Sequence, residues 1–487
     1  MKWEFALLAI CYCLGISAQE SQYELMAKEL GENSLPLVNL IVDTATVNTM
    51  EYAAGEIEIS DYLCRTSPDT TTVRFHCKYR IRGGTAMEFD KKSYAVKLYD
   101  ESGEDLDANI LGIRDENNWI LDAMSVDRTR MRNRVCFDVW NEISRTPYDT
   151  KYDNRNGIKG VFVEVFINGD YHGLYCMTDK IDRKLLGLKK AKVDNDGAVT
   201  VHGLLYKGDS WNDYTDIWLR SYSEADTNNN KWNGWELQYP EDYPSDNTWQ
   251  PLMDLIDLCS DTTPDETFVQ AYQDYFYTDN LVDYAVFTMA LNVGDNAYKN
   301  TFLSVVDIDK GHRYLLSPWD MDQSLGGLWN GDYDETLADV YRYDHVAPFN
   351  RLAVQNINGF KEKEAKEWAR YRATLFSRES IARRLDEYAA LFAASGAWDR
   401  EYAKWNDKPV PLQKDIADEL EYVKDWYSKN YEWLSAQFAT LGMPGIIDEQ
   451  PRCPLANGMV TLDGRRIDAN AKQKGVYIVD GKKVVVK

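Results

Sequence analysis

The chain has 487 residues, long for one domain, and 44% of them are hydrophobic, enough to bury a sizeable core. Acidic residues outnumber basic ones 79 to 55, for a formal net charge of −24. That balance argues against nucleic acid and anionic membrane as partners, and any site that takes ATP must reverse the field locally with Lys, Arg or divalent metal. Five His, no Cys-x-x-Cys and no His-Glu-x-x-His argue against a zinc enzyme.

Residues 1–18 read as a secretory signal peptide. Lys2 precedes an apolar run from Phe5 to Ile16, and Ser17-Ala18 ends it before Gln19. The run is too short to span a bilayer, and no later stretch is long and apolar enough, so no transmembrane segment is expected. The mature chain is expected to be secreted or at the cell surface. Beyond Cys11 and Cys13 of the signal lie Cys64, Cys77, Cys136, Cys176, Cys259 and Cys453. Export permits disulfides, and Cys64 with Cys77 is the expected pair; Cys136 and Cys176 sit in apolar patterns, as small core residues do.

Residues 19–209 are mostly strand. Leu35 to Thr44 is an apolar run, and Val73 to Ile81 alternates as a half-buried strand should. Arg82-Gly83-Gly84-Thr85 follows, then Lys91-Lys92 and the strand Ser93 to Tyr99. A Gly turn between basic strands can cover a phosphate, or be a plain hairpin with solvent-facing lysines. After a short strand, Asn118 to Ala123, residues Asp127 to Ser144 read as a helix. Asp127 is a fair N-cap, and Met131, Val135, Val139 and Ile143 form one apolar stripe. Its Arg128, Arg130, Arg132 and Arg134 are expected in water or in structural ion pairs. Val161 to Ile167 and Tyr171 to Thr178 flank Asn168-Gly169, a type I′ hairpin signal, and Leu204 to Lys207 is a further strand.

Residues 210–450 turn helical after a Trp-, Asn- and Asp-rich insertion from about Ser210 to Thr248. Helical patterns cover Pro251 to Cys259, Glu266 to Tyr277, Asn280 to Val293, Lys361 to Phe376, Arg378 to Ala393 and Leu412 to Leu441. Between the third and the fourth lie two acidic elements. Asp295 is followed five residues later by Asn300, and Trp319-Asp320-Met321-Asp322 comes after a β-rich run with a Lys310-Gly311 turn. An Asp with an Asn five residues on, then a hairpin and a second Asp, is the spacing of a kinase catalytic loop and its metal-binding Asp. Solvated loop acids have the same composition. Residues 451–487 form a small β module with Asp-Gly turns.

Taken together these blocks resemble the CotH kinase family, atypical secreted or spore-surface kinases named for spore coat protein H. The likeness runs from about residue 38 to 376. It rests on Arg82-Gly83-Gly84-Thr85 with Lys91-Lys92-Ser93-Tyr94 and Lys97-Leu98, on Trp119 to Ala123 with Asp127 and Met131-Arg132-Asn133, and on Gly173-Leu174-Tyr175 with Lys180-Ile181-Asp182. Trp319-Asp320-Met321-Asp322 with Ser324 and Gly326 completes it; Asp179 stands where the family pattern suggests Glu. The tail Gly475-Val476-Tyr477-Ile478-Val479 with Gly481-Lys482-Lys483 resembles a type IX secretion sorting signal.

The resemblance implies an α+β, protein-kinase-like fold with a β-rich N-lobe (residues 19–209), a helical C-lobe and a cleft for ATP with Mg2+ or Mn2+. Asp295 matches the catalytic Asp and Asp320 the metal-binding Asp, with Asn300 as second metal ligand by spacing. Lys92, Lys97, Lys207 and Arg82 are the candidates for phosphate contact, Lys97 foremost because it lies in a strand, and Glu142 is its candidate ion-pair partner. The implied activity is transfer of the ATP γ-phosphate to Ser/Thr hydroxyls of a secreted or surface protein. The alternatives are a catalytically silent binding protein on the same scaffold, and a glycan-acting enzyme using Asp320 with Asp322 or Asp295.

Overall fold

The computed structural model describes residues 20–209, 227–232, 234–297, 299–334 and 346–439, and the backbone of four strands at 459–461, 466–467, 475–479 and 482–486. The expected signal peptide, Cys453 and residues 210–226 and 233 of the insertion lie outside the described residues.

Seven strands close into a barrel in the order Leu37–Val42, Ala53–Ser60, Thr72–Arg82, Ser93–Tyr99, Asn118–Asp122, Asp170–Thr178 and Gly160–Ile167. The last pairs in parallel with the first, Leu37 opposite Glu164 and Leu40 opposite Ile167, and every other pairing is antiparallel. The expected β-rich N-lobe is therefore a closed barrel, and closure removes the exposed strand edges that an open sheet would leave. Alternation along each strand sends Val38, Ile57, Tyr79, Val96, Leu121, Val165 and Tyr175 inward. The intervening residues face out, among them Arg82, Lys97, Ile120 and Asp122. Asn168 and Gly169 take φ of +52° and +85°, the double positive of the expected type I′ turn.

A second core forms where the outer faces of Phe162, Leu174, Cys176 and Ile120 meet the helix Arg132–Ile143. That helix begins later than expected, with Met131 rather than Asp127 at the cap. The Asp127 carboxylate nevertheless accepts the Met131 and Arg132 N–H groups, each at 2.7 Å, and pairs with the Arg132 guanidinium. Arg130, Arg132 and Arg134 are all buried, each with a carboxylate partner, the ion-pair fate rather than the solvated one.

The C-terminal part is not purely helical. An antiparallel five-stranded sheet runs Lys231–Trp232, Trp235–Tyr239, Leu204–Gly208, Thr301–Val305, Leu315–Pro318. Helices Asp246–Cys259, Asp265–Tyr275, Thr278–Leu291, Phe360–Arg372, Arg378–Ser395 and Ile416–Ala439 fall close to the expected patterns, and Ala397–Trp405 is an additional one. Trp232 and Trp235 of the insertion, and Trp249 just after it, are buried, so these rings serve packing.

One carboxylate from the additional helix ties it to the barrel. Glu401 is fully buried; its Oε1 takes hydrogen bonds from Lys91 at 2.7 Å and Arg130 at 2.8 Å, and its Oε2 takes the Leu174 N–H at 2.8 Å. Gly173 sits at φ +138°, and a Cβ there would come within 2.7 Å of Glu401 Oε2, so the backbone reaches the carboxylate only as glycine.

The cysteines correct one expectation. Cys64 and Cys77 are both free thiols, as are Cys136, Cys176 and Cys259. Alternation turns Cys77 into the barrel interior, away from the loop that carries Cys64. Cys136 and Cys176 are core residues, as expected. No helix among the described residues is long and apolar enough to cross a membrane.

Candidate active site

The cleft lies between the outer face of the barrel, the Arg132–Ile143 helix and the Trp319-Asp320 loop. Arg82, Ile120, Asp122, Asn133, Phe137, Thr178, Trp319 and Asp320 line it.

Two turns bring the acids to it. The helix Thr278–Leu291 stops because Asn292 turns left-handed at φ +50°, and the chain drops into a 3-10 turn over Gly294–Ala297 that buries Asp295. Asn300, also left-handed at φ +56°, donates its amide to Asp295 Oδ2 at 3.1 Å. Lys299 Nζ reaches the same oxygen at 3.2 Å. The Asn300 N–H bonds the Gly208 carbonyl at 2.9 Å, which sets Asp295 and Asn300 against the end of the Lys207 strand.

Asp320 is exposed at the cleft and held at φ +56°, a conformation that costs a non-glycine residue roughly 1 kcal/mol and persists where neighbours impose it. The neighbours are two asparagines. Asn296 bonds both the N–H and the carbonyl of Trp319, and Asn133 Oδ1 accepts the Met321 N–H at 3.1 Å. Asn133 also donates its Nδ2–H to Asp122 Oδ2 at 3.0 Å. The peptides on both sides of Asp320 are thus pinned to other elements.

The electrostatics are those of crowded carboxylates. Burial pushes Asp322 well above the usual carboxylate range, and Asp320, Asp295 and Asp122 push it further. Burial likewise raises Asp122, with Asp320 adding to the rise. The cations facing them are Arg82, whose guanidinium lies 5.6 Å from the centre of the Trp319 ring, and Lys207. Burial lowers the Lys207 ammonium, Arg82 lowers it further, and Asp209 and Asp320 oppose the shift. A hard divalent cation would offset the repulsion among these acids, but among the described residues the ligand atoms gathered within 4.8 Å of one another are those of His202, Asp307 and Asp309.

Of the residues expected from sequence, Arg82 and Asp320 line the cleft, and Lys207, Asp295 and Asn300 adjoin it: the charges of Arg82 and Asp320 both act on Lys207, and Asn300 bonds Asp295 and the end of the Lys207 strand. Lys92 and Lys97 do not line this cleft: Lys92 Nζ bonds the Met87 carbonyl, and Lys97 Nζ lies 4.8 Å from the centre of the Tyr52 ring on the outer barrel face. Glu142 pairs with Arg384 at 2.7 Å rather than with Lys97. Asp122, Asn133 and Asn296 were not expected at the site. Asn133 stood inside the Met-Arg-Asn block, but only the fold turns it toward Asp320. Asp179 is structural, buried between Arg155 at 2.7 Å and Arg114 at 2.8 Å.

The family model described as CotH kinase protein matches residues 79–434. The chain belongs to the CotH kinase family. The match begins later and ends later than the span read from the motifs. In this CotH family member it takes in the end of the strand that carries Arg82, the residues that line the cleft, and the Glu401 helix. No curated protein matches the chain. Family membership makes the protein kinase-like and suggests use of ATP and a divalent metal.

A separate group, His202, Asp307 and Asp309, could also hold a cation. It lies past the far end of the Thr301–Val305 strand from Asn300. Lys189 Nζ already sits there, at 3.1 Å from Asp307 and 3.0 Å from Asp309.

Proposed function

We propose that the protein is an exported, atypical protein kinase that transfers the ATP γ-phosphate to Ser or Thr hydroxyls of secreted or surface proteins. The observation that supports it most is the pinning of Asp320 by Asn296 and Asn133 beside Asp295. A scaffold has no physical need to hold a left-handed Asp in a cleft of repelling carboxylates.

In this reading Asp295 orients the acceptor hydroxyl and takes its proton as oxygen attacks the γ-phosphorus and the bond to ADP breaks. Asp320 and Asn300 hold metal, which supplies charge neutralisation on the phosphates when bound. Arg82 and Lys207 hold phosphate oxygens, fixed positive charge that needs no reorganisation at the moment of transfer. Residues 1–18 direct export, and the type IX-like tail is the candidate sorting signal. The two-lobed kinase layout belongs to the same proposal, with the barrel in the place of an N-lobe.

One observation favours a catalytically silent scaffold. Asn300 and Lys299 both spend donors on Asp295 Oδ2, so this oxygen must give up a contact before it can take the proton of an acceptor hydroxyl. The test is the thermal midpoint of wild type and Asp320→Ala with ATP and Mg2+ or Mn2+, beside transfer of labelled γ-phosphate to Ser/Thr peptides. Metal-dependent stabilisation lost in the variant, with transfer, is expected. No shift with any nucleotide or metal would sink the kinase reading.

A further inference from the structure

The outer barrel face above the cleft carries a stripe of cations on a strongly acidic protein. On the strand Thr72–Arg82, the residues Lys78, Arg80 and Arg82 alternate with Cys77, Tyr79 and Ile81 of the barrel interior, so all three point outward. Lys97 lies directly across from Lys78 on the neighbouring strand. Tyr52 sits beneath two of these groups, its ring centre 5.1 Å from the Arg80 guanidinium and 4.8 Å from the Lys97 ammonium. Among the described residues no carboxylate pairs with Lys78, Arg80, Arg82 or Lys97. Farther along the same strand the pattern differs: Arg74 is matched by Glu56 at 3.3 Å and Glu58 at 2.7 Å. Toward the cleft the strand Ala53–Ser60 puts Ala54 opposite Lys78, where Glu58 stands opposite Arg74.

We infer that this stripe docks an acidic, extended segment of the protein substrate and leads it into the cleft. Three observations carry the inference. Among the described residues Lys78, Arg80 and Lys97 have no carboxylate partner in a chain of net charge −24, which concentrates positive potential on one face, while Arg82 faces the acids of the cleft. They recur at every second strand residue, about 6.8 Å apart, the repeat of like-facing side chains in an extended peptide. The run from Lys78 to Arg82 covers about 13 Å and ends at the residue that lines the cleft, so an acceptor hydroxyl beyond the acidic run would reach Asp295. Lys78, Arg80 and Lys97 lie outside the pocket of Asp320, which Arg82 alone of the stripe lines, and this favours peptide over nucleotide for that part of the stripe. Tyr52 holds Arg80 and Lys97 upright, reducing the entropy lost when they bind. The docking role rests on the kinase reading for its purpose, not for its binding.

The experiment is fluorescence anisotropy of labelled Glu-Ser and Lys-Ser repeat peptides on the full chain, with ATP–Mg2+ thermal shifts run on the same samples. Wild type is expected to bind the Glu-Ser peptide, to lose it steeply with added salt, and to ignore the Lys-Ser peptide. Lys78→Glu with Arg80→Glu should weaken the acidic peptide by about tenfold or more and leave the ATP–Mg2+ shift intact. Arg74→Gln, at the paired end, should change little. Equal binding of both peptides would overturn the docking role, as would tighter binding of a single-stranded oligonucleotide. Loss of the ATP–Mg2+ shift in the double variant with peptide binding intact would overturn it too, giving the stripe to nucleotide. Acidic-peptide binding by a wild type that shows no ATP–Mg2+ shift would sink the kinase reading and leave the docking surface standing.

Discussion

Asn296 and Trp319 hold each other twice: the Asn296 side chain donates to the Trp319 carbonyl at 2.8 Å and accepts its N–H at 3.0 Å. This pair joins the turn of Asp295 to the loop of Asp320. The two acids that sequence spacing connects across 25 residues are thereby set by one carboxamide.

Removing that carboxamide should loosen both turns. Asn296→Ala leaves two buried backbone groups without partners and should cost about 2 kcal/mol of stability. Urea unfolding checks the loss. The metal-dependent ATP shift should shrink in the same variant, because Asp320 is no longer held in its left-handed conformation.

Asp320 and Asp295 should separate by function. Asp320→Ala should abolish the metal-dependent ATP shift and the transfer together. Asp295→Asn keeps the Asn300 contact in shape, so it should retain most of the shift while transfer falls by roughly 10²–10⁴. Thermal shift beside single-turnover transfer reads both, and equal loss of the shift in the two variants would contradict the assignment.

Glu401 should be among the costliest positions to truncate. Glu401→Ala strands Lys91 and Arg130 as buried charges without their shared carboxylate and should cost about 3–5 kcal/mol. Glu401→Gln keeps the Leu174 N–H acceptor and should be milder. Denaturant midpoints order the two.

His172 should make folding sensitive to mild acid. Burial, with Lys91 and Lys404 adding, pushes its imidazole down to about 4. The unfolded chain keeps it near 6.5, so between about pH 6.5 and about pH 4 the unfolded state takes up a proton that the folded state refuses. This contribution lowers stability as pH falls through that window, by on the order of 2–3 kcal/mol in total, and is absent above it. His172→Phe keeps the backbone carbonyl that accepts from Trp405 at 2.8 Å and should flatten that part of the pH profile. Urea midpoints at steps between about pH 7 and about pH 4.5 measure the difference.

The sequence by itself determined the elements and the order of the chemistry-bearing blocks. Alternation marked the barrel strands Thr72–Arg82 and Gly160–Ile167, a four-residue apolar stripe marked the Arg132–Ile143 helix, and Asn168-Gly169 marked a hairpin turn, because these signals are local in the backbone; the barrel strand Ala53–Ser60 was not read from the sequence. The ordered blocks from Arg82 to Gly326 indicated the family for the same reason. Tertiary structure alone decided which residues meet. Lys97 and Arg82 are both outward-facing strand cations, and nothing local distinguishes the one over Tyr52 from the one over Trp319. Lys91 and Glu401 are separated by 310 residues, and their pairing follows from burial of both beside Arg130, which shares the carboxylate. Closure of the barrel depends on the parallel pairing of Leu37–Val42 with Gly160–Ile167, a contact between distant segments that no short-range pattern encodes.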